Sequence, residues 1–161
     1  MKGILMFTFK NRKNYLLSPV NGECIDLSNV NDPVFSQHLM GEGAAIIPSD
    51  GMICSPCSGK ITLIADTLHA FGIVTDEGME ILVHIGIDTV NLKREGFTSF
   101  SKIDATVKPG DPIISVDLKL LEEKNIDPTI LIIILNHNNF NIKNIQVTGL
   151  ATINETKIIE Y

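Results

Sequence analysis

A short motif of Ser-Pro, two variable residues and Gly occurs twice in this sequence, each time leading into an alternating apolar stretch. The first copy, SPVNGECIDL, occupies residues 18–27, and the second, SPCSGKITLI, occupies residues 55–64. A third stretch, VKPGDPIISV at residues 107–116, also runs from a Pro-Gly turn into an apolar segment. Pro and Gly mark turns, and apolar alternation is typical of a half-buried strand. We therefore expect a duplicated, pseudo-symmetric β architecture.

The rest of the chain continues this pattern of short apolar segments separated by Gly or Pro turns. A spacing of roughly 8–12 residues between turns is typical of sandwiches and barrels rather than of βαβ units. Residues 32–41 carry the start and stop signals of a helix of about two turns, and residues 117–125 predict a second helix. The run ILIIIL at residues 130–135 lacks alternation, which indicates a strand buried on both faces. The sequence predicts an all-β, antiparallel sandwich or barrel with one or two short helices.

The chain of 161 residues is long enough for one domain, which we place at residues 18–161. Residues 1–17 combine a short apolar run with basic residues. This N-terminal segment has two interpretations. It is an edge strand followed by a polar turn, or it makes a weak contact with a membrane surface through its basic residues.

Charge and cysteine content narrow the class of partner and compartment. The net charge is −6, which argues against a nucleic-acid surface and is compatible with a basic protein partner. The odd cysteine count, Cys24, Cys54 and Cys57, favours a reduced, cytoplasmic setting. Cys54 and Cys57 have the spacing of a redox pair or half a zinc site. We interpret them instead as small core residues, because they lie in a strand-turn-strand context.

The stretch TLHAFGIVTDEGMEILVHIGIDTV at residues 67–90 predicts a β-hairpin that carries two histidines. A two- or four-residue loop places His69 directly opposite His84, so that both imidazoles share one face. A three-residue loop ending in a bulge at Gly78 would shift the register by one. Strand periodicity puts Thr67 and Asp88 on the same face as the histidines.

Several kinds of chemistry are open to such a face. Two neutral imidazoles can ligate zinc, with Asp88 as a possible third ligand. Alternatively, one imidazole is a nucleophile and the other donates a hydrogen bond to the charged group being transferred. A third interpretation is that both histidines are ordinary polar residues of a sheet edge. His38 and His137 are expected at the surface outside the site. No nucleophilic serine elbow or phosphate-cradling loop is visible.

The stretch GMEILVHIGIDTV at residues 78–90 resembles the active-site signature of the glucose-type enzyme IIA of the bacterial phosphoenolpyruvate-dependent sugar phosphotransferase system. The resemblance extends over residues 18–159. Its further segments are SPV-x-G at 18–22, DPVF at 32–35, GEG at 41–43, TLHAF at 67–71, VKPGDP at 107–112 and LLEEK at 120–124.

This resemblance implies an antiparallel β-sandwich of the duplicated hybrid-motif type and a phosphocarrier activity. His84 would accept a phosphoryl group from phospho-HPr and pass it to the IIB cysteine of a sugar permease. His69 would donate a hydrogen bond to the phosphoryl oxygens, and Thr67 would orient a histidine. The transfer itself would need no metal or other cofactor, because the donor is already an activated N–P bond.

The resemblance also implies a partner-binding surface around the histidines. Asp32 and Asp88 would lie at its rim and face cationic residues of the partner, and the site would be ringed by Phe35, Phe71 and Leu82. In some relatives a glutamate of a regulated protein completes a zinc site with the two histidines, so zinc in a regulatory complex is a possible cofactor here. The alternative function is a regulatory module whose phosphorylation state controls other proteins. A metallohydrolase fits less well, because no third histidine lies within reach along the sequence.

Overall fold

The structure is a computed structural model that describes residues 14–161, and its pairings between strands are antiparallel. The helices are α1 (Pro33–Ser36) and α2 (Leu118–Glu123), and single 3₁₀ turns occur at Leu27–Asn29, Thr89–Leu92 and His137–Asn139. The strands are β1 Tyr15–Leu17, β2 Gly22–Ile25, β3 Glu42–Pro48, β4 Met52–Cys54, β5 Gly59–Ile64, β6 Ala70–Val74, β7 Glu80–Ile85, β8 Phe97–Ser99, β9 Thr106–Val107, β10 Pro112–Val116, β11 Ile130–Ile134, β12 Asn144–Ile145, β13 Leu150–Ala151 and β14 Lys157–Glu160. The predicted all-β, antiparallel class is confirmed.

The described strands form one sheet of eight strands and two of three. The large sheet has the order β13-β2-β3-β11-β7-β6-β5-β9, and the small sheets have the orders β1-β14-β12 and β4-β10-β8. The large sheet consists of two matching halves, because β11, β3, β2 and β13 follow one another outward from the centre as β7, β6, β5 and β9 do on the other side. This arrangement is the pseudo-symmetry that the repeated motif predicts.

The two Ser-Pro motifs adopt the same local structure. The Ser18 hydroxyl donates to the Val20 carbonyl at 2.6 Å, and the Ser55 hydroxyl donates to the Cys57 carbonyl at 2.7 Å. Both serines are buried. A buried hydroxyl needs a partner, and each motif supplies one from its own backbone two residues on.

The two motifs also bind one another reciprocally. The Leu17 N–H donates to the Pro56 carbonyl at 2.9 Å, and the Cys54 N–H donates to the Pro19 carbonyl at 2.8 Å. Leu17 and Cys54 both directly precede a Ser-Pro motif, and Pro19 and Pro56 are the prolines of the two motifs. The duplicated turns therefore meet around a local two-fold relation and join the two halves of the molecule.

Strand β11 lies at the centre of the core and is buried on both faces, as predicted. Its alternate residues belong to two different apolar clusters. Ile130, Ile132 and Ile134 pack in the main cluster, whereas Leu131 and Ile133 pack in a second, smaller one. The smaller cluster lies on the sheet face that carries the candidate site.

Helix α1 has one turn, so the prediction of about two turns is wrong. Asp32 caps its start by accepting a hydrogen bond from the Val34 N–H at 2.9 Å. The chain then reverses at His38, whose φ is +57°, a left-handed conformation in which a helix cannot continue. The exposed His38 places its Nδ1 3.2 Å from Glu42 Oε2. Helix α2 falls within its predicted range.

The predicted N-terminal segment is described only in part. Tyr15–Leu17 forms β1, which pairs with β14 at one end of its sheet, so these residues are an edge strand of the folded domain. Residues 1–13 lie outside the described residues, and contact of this segment with a membrane surface stays a prediction. No helix in residues 14–161 is long and apolar enough to span a bilayer.

The three cysteines are free and buried, as expected for small core residues. Burial raises the pKa of the Cys57 thiol to about 12, and burial likewise raises the pKa of Cys54. Both side chains are therefore protonated thiols near neutral pH. Protonated, buried thiols are poor nucleophiles, so the pair is not arranged as a reactive redox couple.

Candidate functional site

The two histidines lie at the end of the β6–β7 hairpin that is opposite its loop. The register pairs His84 with Ala70, not with His69. The prediction that the two histidines are directly opposed is therefore wrong by one residue. Ala70 and His84 share the sheet face that carries the smaller apolar cluster, and strict alternation would place His69 on the other face.

The hairpin loop explains the shifted register. Residues 76–78 form a three-residue loop, which is closed by a hydrogen bond from the Thr75 N–H to the Met79 carbonyl at 3.0 Å. Gly78 has a φ of +87°, the left-handed conformation common at the end of such loops. The loop is thus the second of the two predicted forms, the three-residue loop that ends at Gly78 and shifts the register by one residue.

His69 nevertheless meets His84 on the same face. The centroids of the two rings are 5.2 Å apart, and the rings are nearly perpendicular. This is possible because His69 precedes β6 and lies in a bend, next to Leu68 with its left-handed φ of +58°. The strand alternation therefore ends at Ala70, and the His69 ring reaches over the strand end to His84.

His84 is partly exposed, but its two ring nitrogens differ. Nδ1 is buried and makes no hydrogen bond of normal geometry within residues 14–161, although the Gly86 backbone lies close enough to act on the ring as a hydrogen-bond partner. Burial, and after it the neighbouring His69, lower the pKa of His84 to about 4, against smaller opposite effects of a hydrogen bond to the Gly86 backbone and of Asp32 and Asp88. The imidazole is therefore neutral near pH 7, and only Nε2 is available to the surface.

His69 has a different environment, because its Nδ1 has a partner. Thr67 Oγ1 lies 2.5 Å from His69 Nδ1, at hydrogen-bonding distance. Burial lowers the pKa of His69, so this ring is also neutral near pH 7. Thr67 thus orients His69, and the free ring nitrogen of His69 is Nε2.

Two carboxylates lie close enough to His84 to act on it electrostatically. Asp32 and Asp88 each favour the protonated form of the ring. Asp32 is held in place as the cap of α1, and Asp88 is exposed and has a left-handed φ of +58° at the start of the Thr89–Leu92 turn. The site therefore has acidic groups from two separate elements.

Thr89 is a site residue that the sequence analysis missed. Its side chain is fully buried, and its hydroxyl donates to the Ile85 carbonyl at 2.5 Å. The same side chain packs against Gly86, where an added Cβ would come 2.5 Å from Thr89 Cγ2. Thr89 thus fixes the chain directly after His84. The signal was its position one residue after Asp88 in the histidine motif.

The apolar residues predicted to ring the site occupy other positions. Phe35 lies against His84 with 5.0 Å between ring centroids, but Phe35 and Leu82 are only 4% and 7% exposed. They form the floor of the site and offer little area to a partner. The prediction for Phe71 is wrong, because Phe71 is 0% exposed and packs in the main cluster on the opposite sheet face.

The two segments that follow Asp32 and Asp88 in the chain expose apolar side chains that the sequence analysis missed. Val34 lies in α1, directly before Phe35, and the segment after α1 exposes Leu39 and Met40. Val90 is exposed in the turn that follows Asp88. Exposed apolar residues grouped beside a site are typical of a protein-docking surface. The available signal is the apolar pair Leu39-Met40, which lies at the end of the helix predicted over residues 32–41.

Metal binding at this site would require a ligand from another molecule. Residues 14–161 contain no group of three or more His, Cys, Asp or Glu side chains arranged to hold a metal ion. Two neutral imidazoles supply only part of a tetrahedral zinc site. Zinc in a regulatory complex stays a prediction that depends on a partner's side chain.

A pair of neutral imidazoles on a β-sandwich, with one ring nitrogen at the surface and carboxylates beside it, is the arrangement expected of a histidine-centred transfer protein. The comparison with protein families agrees. The family described as phosphoenolpyruvate-dependent sugar phosphotransferase system, EIIA 1, matches residues 14–140. The chain belongs to this family and is an EIIA component of the phosphotransferase system.

Individual relatives support the same assignment. The chain is 43% identical over 146 residues to the PTS system glucose-specific EIIA component of Oceanobacillus iheyensis, covering 90% of this chain and 88% of that protein. It is 42% identical over 132 residues to the PTS system beta-glucoside-specific EIIBCA component of Bacillus subtilis, covering 82% of this chain and 22% of that longer protein. The solved structure of glucose permease IIA from Mycoplasma capricolum matches with a TM-score of 0.86 and 35% identity, over 94% of this chain and 97% of that one.

Proposed function

We propose that this chain is a phosphocarrier that accepts a phosphoryl group from phospho-HPr on Nε2 of His84 and passes it to the IIB cysteine of a sugar permease. The observation that carries the proposal is the neutral His84 ring, whose Nδ1 is buried and whose Nε2 alone is available at the surface. A neutral imidazole has the lone pair that a nucleophile needs.

The chemistry requires two displacements at phosphorus. In the first, the Nε2 lone pair of His84 forms an N–P bond as the N–P bond of the donor phosphohistidine breaks. In the second, the thiolate of the IIB cysteine forms an S–P bond, and His84 leaves as a neutral imidazole that keeps its Nδ1 proton. Both steps exchange one activated phosphoryl group for another, so positioning and fixed dipoles supply the catalysis.

His69 would stabilise the transferred group. If the Thr67 hydroxyl donates to Nδ1 of His69, the proton of the neutral His69 ring is on Nε2. That N–H is then free to donate to a phosphoryl oxygen on His84, since the two rings are 5.2 Å apart between centroids. A donor placed where negative charge accumulates lowers the barrier most when it is fixed in advance.

The surroundings of the histidines suit a partner with an apolar centre and basic groups. Val34, Leu39, Met40 and Val90 would supply apolar contacts, and the carboxylates beside His84 would attract cationic side chains. The name of the Bacillus subtilis relative joins EIIA with EIIB and EIIC in one protein. This supports a IIB domain as the acceptor.

Labelling with phosphoenolpyruvate, enzyme I and HPr tests the proposal. The protein should gain acid-labile, alkali-stable phosphate, and His84→Ala should abolish it. His69→Ala should still accept phosphate, but its transfer to a IIB domain should be roughly 100-fold slower. The matched control is His137→Ala, because His137 lies in the turn after β11, away from Leu131, the residue of that strand that pairs with His84. Normal labelling of His84→Ala would show that the acceptor is wrong.

A further inference from the structure

The turn that joins β5 to β6 holds a leucine in a conformation that leucine rarely adopts. The Leu68 N–H donates to the Ala65 carbonyl at 2.8 Å, and the Ala65 N–H donates to the Ala70 carbonyl at 2.9 Å, which closes a tight turn. Leu68 has a φ of +58°. In this left-handed conformation Cβ crowds the following carbonyl, so Gly or Asn is the usual residue.

The Leu68 side chain is directed away from the site. It is 5% exposed and packs in the main apolar cluster, whereas its neighbours Thr67 and His69 bond to each other on the site face. A strained residue persists only where the surrounding structure over-determines it. Here burial of the leucine side chain offsets the strain of its backbone.

The other half of the large sheet provides an internal comparison. Gly43 pairs with Ile133 in the first half as Ala70 pairs with His84 in the second. The residue two positions before Gly43 is Gly41, which also has a positive φ, +147°, and where an added Cβ would come 2.2 Å from the Ile134 carbonyl oxygen. The backbone thus has a positive φ at both positions, although the two conformations differ, +147° at Gly41 and +58° at Leu68. In the half that carries the histidines, the residue at this position is Leu68.

We propose that Leu68 is a positioning residue of the phosphoryl relay: its buried side chain holds the left-handed turn that keeps the His69 ring against His84 and against Thr67. The buried side chain of Leu68 on the core side of the turn thereby fixes the position of the His69 ring on the surface side. The effect on the relay rests on the proposed function, but the effect on the His69 ring does not.

Heteronuclear NMR of the histidine ring nitrogens tests the placement of His69 without any transfer reaction. Wild-type His69 should show one tautomer, protonated at Nε2. Leu68→Ala removes this buried side chain but keeps Cβ and its strain, so His69 should become a mixture of tautomers. Leu68→Met, which refills the same volume, should restore the single tautomer. Leu121→Ala is the matched control, because Leu121 is buried in the same cluster and lies in α2.

The relay provides the second measurement. Leu68→Ala should still be labelled at His84 but should pass phosphate to IIB about 10- to 100-fold more slowly, as expected when a catalytic group is displaced by about 1 Å. The proposal is overturned if Leu68→Ala keeps the wild-type tautomer, or if Leu121→Ala changes the His69 signals equally, since stability alone would then explain the effect. If the wild type itself accepts no phosphate, the proposed function fails while the NMR result still decides the role of Leu68.

Discussion

The two halves of the large sheet share a backbone plan but differ in chemistry. In the first half Gly43 of β3 pairs with Ile133 of β11, and in the second half Ala70 of β6 pairs with His84 of β7. His84 therefore corresponds to Ile133. By the same correspondence, His69 matches Glu42, the residue directly before Gly43.

The fold itself does not need the imidazoles. Ile133 is 0% exposed and fills the smaller apolar cluster with an ordinary aliphatic side chain. His84 instead places a polar, partly buried imidazole at the matching position, and burial of a polar ring costs stability. The site thus occupies one of two matching positions in the large sheet. At this position a reactive imidazole replaces an aliphatic side chain, and the apolar packing is weaker.

The largest expected effect comes from making the second half resemble the first. His84→Ile should reduce phosphate labelling to background, because the acceptor nitrogen is gone. It should also raise the free energy of unfolding by about 1 kcal/mol, since a partly buried polar ring is replaced by the aliphatic side chain that fills the matching position in the first half. Labelling and urea unfolding measure the two effects.

The reciprocal change is the control. Ile133→His places an imidazole at the equivalent but fully buried position, and should lower the free energy of unfolding by about 1–3 kcal/mol. It should add no second labelled site. A stable, doubly labelled Ile133→His protein would show that the two halves differ less than we infer.

The second largest effect is expected from acid, which should protonate His84 and so remove its nucleophilic lone pair. His84 has a pKa lowered from 6.5 to about 4, so its lone pair stays free as the pH falls to about 5 and is lost through pH 4. Because the unfolded ring takes up its proton at its ordinary pKa and the folded ring does not, this group leaves the free energy of unfolding unchanged above about pH 6.5 and lowers it as the pH falls from 6.5 through 4.

The initial rate of labelling as a function of pH measures this titration. HPr that is phosphorylated beforehand should be the donor, so that enzyme I does not limit the rate. His84→Gln serves as the control for stability, because it removes the titrating group and should unfold with a weaker pH dependence in this range. A half-loss of labelling near pH 6.5 would contradict the buried, neutral ring.

Equivalent substitutions in the two repeated motifs should lower the free energy of unfolding by similar amounts. Gly22 and Gly59 end the two repeated motifs, and an added Cβ would come 2.1 Å from the Ile47 carbonyl oxygen and 2.5 Å from the Val74 carbonyl oxygen, respectively. Gly22→Ala and Gly59→Ala should each lower the free energy of unfolding by about 1–3 kcal/mol.

Gly78→Ala is the matched control for this pair. Its Cβ would meet nothing within 4 Å, although its φ is +87°. It should therefore cost only the conformational strain, about 1 kcal/mol. If one of the two motif glycines tolerates alanine and the other does not, the duplication is less strict than the hydrogen bonds indicate.

The smallest expected effect concerns the orientation of His69. Thr67→Val removes the hydroxyl next to His69 Nδ1 but keeps the shape of the side chain. Loss of one hydrogen bond of ordinary strength should slow phosphate transfer to IIB about 2- to 10-fold, with His84 labelling unchanged. Thr67→Ser keeps the hydroxyl and should behave as wild type. Equal rates for Val and Ser variants would remove Thr67 from the relay.

Much of the frame could be predicted from local signals. The Ser-Pro motifs indicate the duplicated turns because Pro and Gly restrict the backbone wherever they occur, and the apolar run at residues 130–135 shows by its lack of alternation that both faces are buried. Asp32 and Gly41 carry start and stop signals that predict a longer helix α1, whereas the chain reverses at His38, a residue without a strong turn preference.

The register of the histidine hairpin could not be decided from the sequence, because its loop allows two or three residues. That one-residue difference moves side chains to the opposite face of a strand. The resemblance alone places Phe71 at the site, but the site face of β6 carries Ala70 instead. The two imidazoles still meet because His69 precedes β6. It lies in a turn in which Leu68 has a left-handed backbone conformation.

The most direct test of the central claim is to identify the phosphorylated atom. NMR of the fully phosphorylated chain, read through ring nitrogens coupled to phosphorus, distinguishes Nε2 from Nδ1 and one histidine from another. We predict a single phosphohistidine at Nε2 of His84, because Nδ1 of that ring is buried. Phosphate on Nδ1 of His84, or on His69, would contradict the account.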